Sequence, residues 1–411
     1  MRFLILTQYF PPEIGAPQVR LGALTRELVR LGHEVEVVTA LPNHPTGRIL
    51  PEYRRRFYWR ETRDGAIVHR VWLYASVGAG LKRIVNYLSF TATCFWGLLR
   101  ARRPDYVFVE SPPLFLSVPG ALAASIWRAP VIFNVADLWP DSVRELGLMR
   151  EGLALRLADA LERWTYRHCD YVNAVTEGIR EMLTGKKGVP AAKVLFLPNG
   201  VDTETFKPAP ADAAIERELG LAGQKLIVYA GTLGYAQGLE VALEAMTRLQ
   251  VEAPEALLLF IGDGSEKERL VRRTAELGLQ NVRFLAPQPP EYVARLYSVA
   301  YAGFASLKNL PLFEGARPSK LFPIMAAGKP VVYSGAGEAV RLIKGAQAGL
   351  TVAPEDAAAL ADTLLRLLRS PGLAAELGSN GRAYVETKLS WRMVVEQWLQ
   401  QLGVSARGEA R

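Results

Sequence analysis

Cysteine is nearly absent. Cys94 and Cys169 are the only two in 411 residues, which excludes a disulfide framework. Histidine is scarce as well, at four, and no Cys/His cluster or carboxylate pair has metal-ligand spacing, so no metal is expected. No leader or membrane span is expected at the start either, because the apolar run Phe3 to Thr7 stops at Gln8. A cytoplasmic protein is the expectation. Half the residues are apolar and 22% are charged, which excludes wholesale disorder. The length is two to three times that of an ordinary domain and predicts two packed domains.

The net charge of +8 is unevenly placed. Residues 1–200 hold 26 Lys/Arg against 18 Asp/Glu, and residues 201–411 hold 23 of each. Much of the excess falls in residues 51–100, with Arg54, Arg55, Arg56, Arg60, Arg63, Lys82 and Arg83. Such a patch suits an anionic membrane surface or nucleic acid, but no nucleic-acid motif accompanies it, so no nucleic-acid partner is expected. Beside it, Ile84 to Leu99 is free of charge and is bracketed by Lys82-Arg83 and Arg100, Arg102, Arg103. As a helix this run measures about 24 Å, short of the roughly 30 Å hydrocarbon core. It reads either as a buried helix or as an interfacial anchor, with Tyr58, Trp59 and Trp72 nearby as aromatic anchors.

Strand-like runs alternate with helical patterns, the signature of βαβ units and parallel sheets. Phe3–Thr7, Glu34–Thr39, Tyr106–Glu110, Val131–Val135, Tyr171–Val175 and Val194–Leu197 form a first series. A Pro/Ala-rich connector, Phe206 to Ala214, follows. Leu226–Ala230, Leu257–Ile261, Val282–Leu285, Ala300–Phe304, Val331–Tyr333 and Gly349–Val352 form a second. The expected class is α/β with two Rossmann-like doubly wound domains, 1–200 and 201–388, and a C-terminal helix over 389–411 that packs back on the first.

In such sheets ligands sit beyond the carboxyl ends of the strands. Gly231 and Gly238, and then Gly262 and Gly264, lie at strand-to-helix turns, where glycine permits close approach and free N–H groups favour a phosphate. The sharpest segment runs Glu314-Gly315-Ala316-Arg317-Pro318-Ser319-Lys320-Leu321. Ser319 reads as an N-cap, and Arg317 and Lys320 as cations at the positive end of that helix, placed to stabilise a diphosphate.

The chain resembles the family-four retaining glycosyltransferases of GT-B fold, and among them the bacterial fucosaminyltransferase and colanic-acid types. The resemblance is carried by Tyr9-Phe10-Pro11-Pro12-Glu13-Ile14-Gly15, Pro42-Asn43-His44-Pro45-Thr46-Gly47, Asp137-Leu138-Trp139-Pro140-Asp141-Ser142, Pro198-Asn199-Gly200-Val201-Asp202, Ala230-Gly231-Thr232-Leu233 with Ala236-Gln237-Gly238-Leu239, and Pro318-Ser319-Lys320. It implies two facing domains with a deep cleft between them, the first binding the acceptor and the second a nucleotide sugar. It also implies metal-independent transfer with retention, no cofactor, and a UDP-sugar ahead of a GDP-sugar.

Two departures stand out. Thr232 and Gln237 occupy positions where many members carry a phosphate-binding arginine and lysine. Gly315 and Pro323 replace two glutamates, although Glu314 adjoins the first.

On this reading Asp137, Lys320 and Arg317 carry catalysis. Gly15, Gly231, Thr232, Gln237, Gly262, Gly264, Glu314, Ser319 and Leu321 bind the donor, and His44 and Asp137 face the acceptor. Asp137 would orient or deprotonate an acceptor hydroxyl, or only cap the turn that follows it. The expected activity moves a hexosyl or amino-sugar unit onto a saccharide or lipid-linked saccharide in cell-surface polysaccharide, lipopolysaccharide or glycolipid synthesis, with the protein peripheral on the inner face of the membrane. The alternatives are a sugar-nucleotide 2-epimerase of the same fold and a non-catalytic nucleotide-sugar-binding partner.

Overall fold

The computed structural model describes residues 1–13, 15–44, 46–76, 80–145 and 152–404. Ile14 and Pro45 of the quoted motifs, and the tail from Ser405, lie outside the described residues. The chain divides into two compact units, one of residues 1–199 with the chain from Val394 onward, the other Gly200–Met393.

The first unit is built on eight strands: β1 (Arg2–Leu6), β2 (Glu34–Ala40), β3 (Tyr58–Arg63), β4 (Ala66–Val71), β5 (Tyr106–Ser111), β6 (Val131–Val135), β7 (Tyr171–Ala174) and β8 (Val194–Phe196). Their order is β3-β4-β2-β1-β5-β6-β7-β8. All neighbours are parallel except β3 with β4. Phe3 to Leu6 of β1 have no exposed surface, as a strand covered on both faces requires. The strand order reverses between β1 and β5, so the loops after these two strands flank this unit's ligand crevice.

The β3–β4 hairpin is an addition to the expected strands. Its turn, Asp64-Gly65, has positive φ at both residues, 51° and 80°, the geometry that Asp-Gly favours between twisted strands. Arg70 of β4 is fully buried and bonds Glu61 of β3 at 2.8 Å. A charge placed there hid the strand from an apolar-run reading.

The charge-free run folds into a two-faced helix, Leu81–Leu98. Phe90, Cys94 and Leu98 enter the core, while Leu81, Val85, Leu88 and Trp96 are exposed. Among the described residues no helix is long and apolar enough to cross a membrane. Near the C-terminus, Trp398 of the helix Trp391–Gln401 is fully buried in the first unit against Phe3 and Phe108.

In the second unit β9 (Lys225–Ala230), β10 (Ala256–Ile261), β11 (Val282–Leu285), β12 (Ala300–Ser306), β13 (Val331–Ser334) and β14 (Gly349–Val352) form an all-parallel sheet. The order is β11-β10-β9-β12-β13-β14. Here the switch falls between β9 and β12, which sets the turn after β9 beside the loop after β12.

Candidate active site

Lys320 stands beside the turn after β9, next to the second unit's switch point. Its Nζ donates to the Tyr229 hydroxyl at 2.7 Å and stands 4.5 Å from the centre of that ring. No salt bridge holds it among the described residues, and burial pulls the amine down to about 7. Removing a cation from water without a counter-ion makes the neutral form competitive. The Tyr229 hydroxyl in turn donates to the Thr232 carbonyl at 2.6 Å, at the turn after β9. Gly231 leaves room for the lysine, because a Cβ there would lie 3.2 Å from Lys320 Cε.

The glycines act differently from the expectation. The N–H of Gly231 donates to Ile261, that of Gly262 to Leu285, and that of Gly264 to the Asp263 carboxylate. None of these three is left to cradle a phosphate. A Cβ on Gly262 would fall 1.9 Å from the Gly231 carbonyl, and one on Gly264 2.3 Å from that of Leu233. Bare backbone is needed because the two turns lie against each other, with Leu233 N–H bonded to Asp263 at 2.9 Å.

The segment after Leu312 needs one correction. Its helix is Leu321–Ala326, one turn and a half long, with Lys320 in the capping place and no side-chain cap, so Ser319, which is exposed, is not an N-cap. Leu321 is fully buried, and its side chain packs in the core. Arg317 is paired with Glu338 at 2.5 Å, both side chains nearly buried, so its charge is balanced from within the protein. Glu314 is exposed, and its carbonyl accepts from Glu338 N–H at 2.8 Å. That contact requires Gly337, whose Cβ would lie 2.1 Å from the same carbonyl.

Gln237 turns its side chain inward, its Oε1 accepting from Gly234 N–H at 3.2 Å. Thr232 is exposed at the adjacent turn. Lys308, in the loop after β12, was not singled out in the sequence. Its backbone N–H bonds Ala236 at 2.9 Å, and its Nζ lies 3.6 Å over the Tyr235 ring. A cation following a strand and a Ser-Leu pair was the available signal, and only the strand order gives it meaning.

In the first unit the β1 loop is tied down by Glu13. Its buried carboxylate accepts from the N–H of Asn43 at 2.6 Å and of His44 at 2.8 Å, which fixes the loop after β2 against the loop after β1. Gly15 precedes the helix Ala16–Arg30 in extended backbone, φ 169°, which any residue adopts. The His44 ring stands edge-on to Tyr9, 5.9 Å between centres, with Nδ1 buried and unbonded among the described residues. Asp137 is exposed beyond β6 and accepts from Ser142 Oγ at 2.9 Å. That bond anchors the turn.

A buried polar chain lies just beneath these loops. Arg20 pairs with Glu110 of β5; Asn134 of β6 donates to Glu110 at 2.7 Å; Asn173 of β7 donates to Asn134. Trp398 Nε1 completes it with a bond to Asn173 at 3.1 Å. Single polar residues inside apolar strands were visible in the sequence, but their alignment follows from the register that pairs Glu110 with Asn134 and Asn134 with Asn173.

No group of three or more His, Cys, Asp or Glu among the described residues is arranged to hold a metal ion. The arrangement offers a cation and a turn at one sheet's switch point, and a carboxylate and an imidazole beyond the strands of the other.

Two family models match in succession. Residues 15–200 match the glycosyl transferase 4-like domain, and residues 212–384 match the glycosyl transferases group 1. The chain is 29% identical to WcaI of Escherichia coli, a glycosyl transferase assigned to colanic acid biosynthesis, over 98% of this chain and all of that protein. It is 26% identical to the GDP-mannose-dependent alpha-(1-6)-phosphatidylinositol monomannoside mannosyltransferase of Mycolicibacterium smegmatis, over 99% of each. Among solved structures it is similar to Anabaena HepE in complex with UDP and glucose, with a TM-score of 0.73 at 19% identity over 98% of this chain and 99% of that one. With two Rossmann-like sheets and both domain models matched in order, the chain belongs to the family-four glycosyltransferases of GT-B fold.

Proposed function

We propose that the protein moves a hexosyl or amino-sugar unit from a nucleotide sugar to a lipid-linked saccharide, with retention, in cell-surface polysaccharide or glycolipid synthesis. The second unit binds the donor, a UDP-sugar ahead of a GDP-sugar, and the first binds the acceptor. Lys320 is the observation that carries this reading. It is a half-buried amine whose one hydrogen bond among the described residues is to a phenol, beside the turn at the switch point, and the diphosphate of a departing nucleotide supplies the counter-charge it lacks. The WcaI likeness supports the polysaccharide setting, and the mannosyltransferase, whose name specifies a phosphatidylinositol monomannoside, supports a lipid-borne acceptor. HepE, which holds UDP and glucose, supports the donor base.

In this scheme Asp137 orients the acceptor hydroxyl, and the leaving phosphate takes its proton, so no enzyme nucleophile, metal or cofactor is required. The exposed face of Leu81–Leu98, with the basic residues beside it, holds the protein peripherally on the inner membrane face. The test is to incubate purified protein with UDP-, GDP- and ADP-sugars, with and without membrane-extracted lipid-linked saccharides. Acceptor-dependent release of UDP supports the reading. Release without any acceptor, or an epimerised sugar nucleotide as the sole product, overturns it.

A further inference from the structure

The partner of Lys320 is informative because it is weak. A phenol hydroxyl has one proton, and Tyr229 spends it on the Thr232 carbonyl at 2.6 Å. Its lone pairs then face Lys320 Nζ at 2.7 Å. Burial raises the phenol, so it keeps that proton. The ring is fully buried and wedged against Phe260 and Phe304, with centres 5.6 and 6.3 Å away, so the oxygen cannot follow the amine if the amine moves. One rigid oxygen therefore fixes both the lysine and the turn beside it. A carboxylate in that place would neutralise the cation, whereas a phenol points it without consuming its charge.

We propose that Tyr229 is the positioning residue of the donor site, its hydroxyl holding the Lys320 amine at the Gly231–Thr232 turn so that a nucleotide's diphosphate meets an amine already in place. The inference rests on the reading of Lys320 as the diphosphate-binding cation. Preorganisation of this kind lowers the ordering cost paid on binding.

The test uses UDP and uridine as probes, titrated calorimetrically against wild type, Tyr229→Phe, Lys320→Ala and the double variant, with GDP and ADP titrated against wild type. Tyr229→Phe keeps the packing and removes one oxygen. It is expected to weaken UDP by about tenfold and leave uridine unchanged, and in the double variant the loss should be no greater than in Lys320→Ala alone. Additive losses, equal weakening of uridine, or wild-type affinity for UDP in Tyr229→Phe would each overturn the proposal while leaving the donor-site reading intact. Wild type that binds no UDP, GDP or ADP would overturn both. Should Tyr229→Phe fail to fold, 3-fluorotyrosine placed at position 229 gives a second readout. Its fluorine resonance is expected to move on adding UDP in the Lys320 protein and to stay fixed in Lys320→Ala, and no movement in either overturns the proposal.

Discussion

The Arg317 guanidinium lies 2.5 Å from the Glu338 carboxylate, with 10% and 4% of the two side chains exposed. A pair this buried behaves asymmetrically, since losing one partner strands the other charge. Glu338→Ala is expected to cost about 3–5 kcal/mol of stability, and Arg317→Met with Glu338→Leu much less. Chemical denaturation midpoints check this. Equal destabilisation by the single and double changes would refute it.

Lys320→Ala removes a cation whose burial is itself unfavourable. Stability should hold or rise, while turnover falls by about two to three decades if the amine stabilises the leaving diphosphate. Steady-state rates alongside thermal melts separate the two effects, and near-wild-type turnover in a folded variant removes Lys320 from the site.

Asp137→Asn keeps the bond from Ser142 Oγ within reach and deletes only the charge. Donor affinity should be unchanged, and transfer should fall by about a hundredfold if the carboxylate acts on the acceptor hydroxyl. Weakened donor binding would instead place Asp137 on the nucleotide side.

Burial alone would raise the Glu36 carboxyl, but hydrogen bonds from His69 and Arg102 outweigh it and hold it at about 2, against 4.5 unperturbed. A depressed folded value means that the contribution is complete above about pH 4.5 and is lost as pH falls through about 2. Its size is roughly 3 kcal/mol. Acid unfolding of Glu36→Gln should therefore be flatter than wild type across that window, and parallel curves would contradict the assignment.

Leu81, Leu88 and Leu99 are 75%, 47% and 80% exposed, beside the basic segment. Sedimentation with anionic vesicles should carry the protein down at low salt and less at high salt, since screening weakens the basic contribution. Arg54/Arg55/Arg56→Glu should reduce it. Equal partition onto neutral vesicles would rule out charge as the cause.

Much of the architecture was legible along the chain. The twelve expected strands all exist within a residue or two, because strands covered on both faces are continuous apolar runs. The β3–β4 hairpin escaped that pattern, since Arg70 and Glu61 break the apolar period, though Asp64-Gly65 marked its turn. The site was harder to read. Gly262 and Gly264 were correctly seen as close-approach positions, but a sequence cannot say what approaches, and here it is the neighbouring turn.

The sequence by itself determined the α/β alternation, the family and the presence of a cation at position 320. It did so because periodicity and motif order are local properties of a chain. Tertiary structure decided which charges are available. Glu338 lies 21 residues beyond Arg317 and neutralises it, while Tyr229 lies 91 residues before Lys320 and leaves its charge unspent. Strand order brings such distant residues together, and strand order is set by the packing of the whole sheet.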